Sequence, residues 1–199
     1  MLFQIYWFHK LDFLCSYTIY AMFLLFITLF VSCMNLYTGV HLPRSDKVQD
    51  LGHRTLPMLS DRYANVPHII CASLLALCVF YIQNDPLLTN RFVKTALLLY
   101  TLRLISIHLT VLPKLDSRIC PKDQPNSMLA CSSDYVFSGH TVQTLLCILF
   151  LVHMNPSWTI PMIVVYFVQI FFILGLRYHY TIDVFLGTVL TLLTFKVVK

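Results

Sequence analysis

The sequence predicts an all-α membrane protein, a bundle of six transmembrane helices, and three observations carry that prediction. Of the 199 residues, 58% are hydrophobic and only 12% are charged. The mean hydropathy is +0.73, well outside the range of a soluble globular domain. The apolar residues gather into runs near Phe13–Tyr37, Pro67–Gln83, Phe92–Leu112, Thr141–Met154, Ile160–Leu176 and Thr181–Val198, and a spanning helix needs roughly 20 mostly apolar residues.

The first run follows Lys10. It is longer than the apolar core of a signal peptide and lacks a small-x-small cleavage site, so it reads as the first span. No repeat, low-complexity tract or Pro/Gly-rich linker divides the chain, and residues 1–199 read as one domain. Six spans put both termini on one face with the loops Asn84–Arg91 and Asn155–Thr159. The other face then receives Thr38–Asn65, Pro113–Ser138 and Arg177–Tyr180.

That second face carries Arg44, Lys47, Arg54, Arg62, Lys114, Arg118, Lys122 and Arg177, against Lys10, Arg91, Lys94, Lys196 and Lys199 opposite. Counted naively, the richer face belongs in the cytosol. A second use for those cations, binding phosphate, competes with that reading. The formal charge of +5 suits an anionic headgroup or membrane surface, and the chain has no basic run of the kind that would bind nucleic acid. Cys15, Cys33, Cys71, Cys78 and Cys147 lie in or beside apolar runs and read as small core residues. Cys120 and Cys131 share one loop, where a disulfide could form if that face is lumenal. There is no CxxC pair, so a structural zinc site is not expected.

Two polar clusters fall on the second face. Asp134, Ser138, Gly139, His140 and Thr141 precede one apolar run; Arg177, Tyr178, His179, Tyr180, Thr181 and Asp183 precede another. At Ser138-Gly139-His140 a loop becomes a helix, whose first free N–H groups favour an anion such as phosphate. Glycine lets the backbone approach a ligand, although a Ser-Gly pair before a helix also serves as a plain turn and N-cap. His179 and Asp183 are four residues apart, on one helical face, so the carboxylate can orient the imidazole and balance its cation. An acidic residue in a first helical turn is also favoured by the helix dipole alone.

The chain between His140 and His179 makes an apolar run, a break at Asn155-Pro156-Ser157 and a second apolar run, enough to cross a membrane and return. Both histidines then share one depth and one face. Two imidazoles, one backed by a carboxylate, suit double displacement at phosphorus, in which one attacks and the other protonates the leaving oxygen. Arg103, inside the third run, and Arg177 are candidate phosphate-binding cations; ion pairing and interfacial snorkelling are their alternatives. His9, His41, His53, His68 and His153 read as interfacial or loop residues, and His108 as a weaker pocket candidate.

The stretches "CSSDYVFSGHTV" and "RYHYTIDVFLG" resemble the third and fourth motifs of the sphingomyelin synthase and sphingolipid synthase family, within the wider lipid phosphate phosphatase superfamily. "TLPMLSDRYANVPHII" and "RLISIHLTVLPKLDSRICPKD" resemble its Leu-Pro and its arginine to Thr-x-Leu-Pro motifs, so the resemblance runs over about 55–195. It implies a six-helix bundle with its site on the lumenal or exoplasmic face, in the Golgi, endoplasmic reticulum or plasma membrane. It also implies transfer of a phospho-headgroup, phosphocholine or phosphoethanolamine, from a glycerophospholipid to ceramide with release of diacylglycerol. In that scheme His179 is the nucleophile, Asp183 orients it and His140 assists the leaving group, while Ser138, Gly139, Arg103, Arg177 and Tyr178 bind substrate phosphate. No metal or organic cofactor is implied, and a homo-oligomer is compatible with this reading. The chain departs from the family at Met58, where Asp is usual, and at Ser132-Ser133, where Gly is usual. The rival readings are a lipid phosphate phosphatase, with water as acceptor, and a non-catalytic lipid-binding or scrambling protein.

Overall fold

The computed structural model describes residues 50–110, 112, 115 and 136–199, and every regular element among them is helical. The run Phe13–Tyr37, the pair Cys120 and Cys131, and Asp134 with Tyr135 fall outside the described residues. The elements are α1 (Leu51–Thr55), α2 (Val66–Ile82), α3 (Pro86–Leu109), α4 (Gly139–Met154), α5 (Thr159–Gly175) and α6 (Thr181–Val197), with 3-10 turns at Asp61–Tyr63 and Pro156–Trp158.

Most bounds agree with the apolar runs, but α3 begins six residues earlier than Phe92. The physical reason is its cap. Asp85 accepts hydrogen bonds from Leu87 N (2.9 Å) and Leu88 N (3.0 Å), and Pro86 supplies a first-turn residue that needs no N–H partner. The polar Thr89-Asn90-Arg91, which reads as loop in the sequence, is therefore helical. Thr89 Oγ1 donates to Ile82 O at 2.7 Å, and Arg91 reaches Phe195 O (2.8 Å) and Val198 O (2.9 Å) to close the end of α6.

α4 is the hub, packed by α2, α3, α5 and α6. Leu74 and Cys78 of α2, Leu99 of α3 and Leu146 and Phe150 of α4 share one buried core. Cys71, Cys78 and Cys147 are buried thiols, as the sequence led us to expect. The outward faces stay apolar: Ile69 and Phe80 on α2, Val164 and Phe167 on α5, Phe185 and Leu193 on α6 are all exposed. Such a surface suits lipid rather than water.

Three helical stretches are long and apolar enough to cross a membrane: Asp61–Ile82, Pro86–Leu109 and Pro156–Gly175. α4 and α6, with 16 and 17 residues, fall short of the roughly 20 a span requires. At about 1.5 Å per residue α4 is about 24 Å long, and its neighbours cover it on most sides. The described helices thus support three spans by length and composition, fewer than the six runs suggested.

Candidate active site

The site forms where α2, α4 and α6 begin and α5 ends. Ser138 caps α4, its Oγ accepting from Thr141 N at 3.2 Å. Its own N–H donates to Asp183 O at 3.1 Å, tying the start of α4 to the first turn of α6. Arg103 comes up from α3, buried, and donates from a terminal guanidinium nitrogen to Phe137 O at 2.7 Å. Its guanidinium lies flat against Gly139. A Cβ added there would stand 3.1 Å from that same nitrogen, so glycine is what lets the cation and the helix start close together.

Between α5 and α6 the chain reverses through Arg177, at φ 60° in the left-handed region. Tyr178 N bonds Ile173 O (3.0 Å) and Arg177 N bonds Leu174 O (3.1 Å), a Schellman ending with arginine where glycine is usual. The Arg177 side chain supports the turn, donating to Leu174 O (3.0 Å), His53 O (2.8 Å) and Leu56 O (3.0 Å). These bonds fasten α1 to the turn; the guanidinium is engaged with carbonyls rather than pointed among the histidines.

The turn delivers His179, buried, to the start of α6. Asp183 Oδ2 lies 3.7 Å from His179 Nδ1 and accepts from Tyr180 N at 2.9 Å. The His140 ring centroid is 6.0 Å from that of His179, and 6.0 Å from that of Tyr178, to which it is nearly parallel at 14°. Tyr178 is steadied by its hydroxyl, which donates to Ala64 O at 2.8 Å. Burial raises the Tyr178 phenol above its usual range. Burial, with Asp183 and Asp50 nearby, pushes Tyr180 up to about 12, so both stay neutral.

His140, His179, Asp183, Ser138, Gly139, Arg103 and Tyr178 therefore converge. His108 does not: it is exposed, with Nδ1 2.7 Å from Leu104 O. Three residues that the sequence does not single out do belong here. His53, which reads as a loop residue, donates from Nε2 to His179 O at 2.9 Å. Asp50 caps α1 and accepts from Thr181 N and Thr181 Oγ1, both at 2.7 Å, holding the residue between His179 and Asp183. His68, which reads as interfacial, sets Nδ1 3.1 Å from His140 Nε2. Only the Asp50-x-x-His53 spacing, an N-cap three residues before a histidine, was a local signal for any of them.

Burial lowers the His53 pKa, more than its bond to the His179 carbonyl and the nearby Asp50 raise it. For Asp50 burial pulls upward, but the bonds from Thr181 and His53 N outweigh it and hold the carboxyl below its usual range. His53 is then neutral, with its proton on Nε2, because a carbonyl can only accept.

This arrangement offers a buried imidazole with a carboxylate behind it, a second imidazole opposite, and a guanidinium beside a helix start. Those are the parts that nucleophilic attack, proton transfer and charge stabilisation at a phosphoryl group require. No curated protein matches the chain. Residues 130–199, which carry Ser138, Gly139, His140, Tyr178, His179 and Asp183, match the family model described as PAP2 superfamily C-terminal. The match associates this third of the chain with phosphatase and phosphotransferase chemistry on lipid phosphates.

Proposed function

We propose that the chain is a six-span membrane phosphotransferase that moves a phospho-headgroup from a glycerophospholipid to the primary hydroxyl of ceramide. The observation that supports it best is the meeting of His179, backed by Asp183, with His140 across 6.0 Å between ring centroids. In the first half-reaction a His179 ring nitrogen attacks phosphorus, a P–N bond forms and the P–O bond to diacylglycerol breaks. The departing oxygen takes its proton from His140. In the second, the ceramide oxygen attacks phosphorus, its proton passes to His140 and the P–N bond breaks. Arg103 offsets the phosphate charge where it lies against Gly139, and Asp183 stabilises the His179 cation. Arg177 acts by holding the turn. Among headgroups we favour choline, for which Tyr178 is the aromatic candidate beside the two histidines.

Hydrolysis is the second reading, because the family match embraces phosphatases as well as phosphotransferases. Incubating purified protein in nanodiscs with fluorescent ceramide and choline, ethanolamine or inositol phospholipids separates the two. A new phosphosphingolipid is the expected product. Phosphate release from phosphatidate without a ceramide product would establish the hydrolase instead, and neither product would sink both.

A further inference from the structure

His68 and His140 meet nitrogen to nitrogen, Nδ1 to Nε2 at 3.1 Å, with ring centroids 4.7 Å apart at 61°. One ring stands in the first turn of α2, the other in the first turn of α4, and both are half-buried. The remaining groups around them are Arg103 from α3, Tyr178 and His179 from the α5–α6 turn, with Asp183 of α6 behind His179, and Cys71 from α2, whose Sγ donates to His140 O at 3.6 Å. Arg103 is a fixed cation and His179 becomes one during turnover, so a lone His140 would have to carry its proton among like charges.

A nitrogen-to-nitrogen imidazole bond contains one proton, donated by one ring and accepted by the other. Two such rings titrate together rather than singly. We infer that His68 is a proton-sharing positioning residue, joined to His140 so that the two imidazoles serve as one acid–base unit. This rests on the assignment of His140 as the proton donor of the proposed transfer. The pair gives one proton to the leaving oxygen as the P–O bond breaks and the P–N bond forms. It takes one back from the ceramide hydroxyl as the new P–O bond forms and the P–N bond breaks. A proton stays between the rings in both states, so the charge spreads over both instead of resting on His140 alone.

A glutamine in place of His68 can still accept from His140 and hold its ring, but cannot take up the proton. His68→Gln should therefore leave KM nearly unchanged and lower kcat about a hundredfold, the lower end of the range for general acid–base catalysis. The alkaline limb of the rate profile should move to lower pH. A His68→Gln enzyme with the kcat and the alkaline limb of the wild type would reduce His68 to a packing contact and overturn the inference. Nitrogen NMR of histidine-labelled protein in nanodiscs reads the pair without relying on turnover. Wild type should show scalar coupling between His68 Nδ1 and His140 Nε2 and two linked titrations, and His68→Gln a single titration at His140. No coupling, together with an unchanged His140 titration in the variant, overturns the pair even if transfer is confirmed. Coupling in a protein that transfers nothing would uphold the pair and reject the transferase.

Discussion

Asp183 answers to three neighbours at once: its carboxylate faces His179, the same carboxylate accepts from Tyr180 N, and its backbone carbonyl accepts from Ser138 N. Asp183→Asn keeps the size, the backbone bond and an oxygen for Tyr180, but removes the charge behind His179. Turnover should fall on the order of 10⁴, by analogy with the aspartate of hydrolase triads, while the melting temperature changes little. His179→Ala should remove both turnover and the acid-labile phosphate label that a headgroup-labelled donor leaves on the protein. A near-normal rate in that variant would reject His179 as nucleophile. Gly139→Ala tests the other side of the site. Its new methyl would stand 3.1 Å from the Arg103 guanidinium, itself tied to Phe137 O, so the cation must move. Displacement by a fraction of an ångström should cost about tenfold to a hundredfold in kcat, whereas an unchanged rate would mean that Arg103 is not near the reacting phosphate. The convergence of His140, His179 and Asp183 could be anticipated from the sequence because each lies in a short motif, the two motifs joined by a chain long enough to cross a membrane and return. His68 could not, since its partner is 72 residues away and only the packing of α2 on α4 brings the rings together.

α1 has five residues and little apolar surface, yet it fixes the histidine turn. Gly52 N donates to Thr181 Oγ1 at 2.9 Å, Asp50 accepts from Thr181 twice, and His53 reaches the His179 carbonyl. A Cβ on Gly52 would stand 2.5 Å from Thr181 Oγ1, with Leu174 at 3.1 Å, so Gly52→Ala must push α1 off the start of α6. The expected result is a loss of stability of about 1–3 kcal/mol, the range for a broken buried hydrogen-bond set, together with a lower kcat. An active enzyme with a wild-type melting curve would show that α1 is dispensable. The same contacts predict a pH dependence. His53 and Asp50 both have folded-state pKa values below their unfolded ones of 6.5 and 3.8, so the folded protein binds fewer protons in each case. The His53 contribution is complete above 6.5 and is lost as pH falls below it; the Asp50 contribution persists until pH falls past 3.8. The melting temperature should therefore drop from pH 7.5 to about 5, and His53→Gln, which keeps a donor for the His179 carbonyl, should flatten that drop. An equal slope in the variant would place the sensitive group elsewhere. Beyond the Asp50 cap itself these contacts could not be read locally, because Asp50 and His53 work on residues 131 and 126 positions away. The start of α3 was lost for a different reason: hydropathy follows the lipid-facing stretch, and the Asp85 cap begins the helix before that stretch does.

At the scale of the whole molecule, the three histidines of the candidate site gather at one end of the bundle. His68 opens α2, His140 opens α4 and His179 precedes α6, whereas Asp85 caps the start of α3 and Arg91 closes the far end of α6. A bilayer crossed by the three long apolar stretches would place those two ends on opposite sides, with Asp61 at the reactive end and Asn84 and Ser157 at the other. Which end faces the lumen is where two readings conflict. The excess of Lys and Arg in the reactive-face loops argues for the cytosol. Discounting cations committed to structure does not remove that excess, since Arg177 is spent on three carbonyls at the reactive end and Arg91 on two at the other. The sphingolipid synthase resemblance argues for the opposite orientation, and on that ground alone we propose that the reactive end is lumenal. Asp61→Cys, Asn84→Cys and Ser157→Cys, all at exposed positions, test this in sealed microsomes with a membrane-impermeant maleimide, each site followed by mass spectrometry of its own peptide. Asn84→Cys and Ser157→Cys should label at once and Asp61→Cys only after permeabilisation. The reverse pattern would restore the charge rule and put the chemistry in the cytosol, and labelling of all three from one side would mean that Asp61–Ile82 does not cross the membrane.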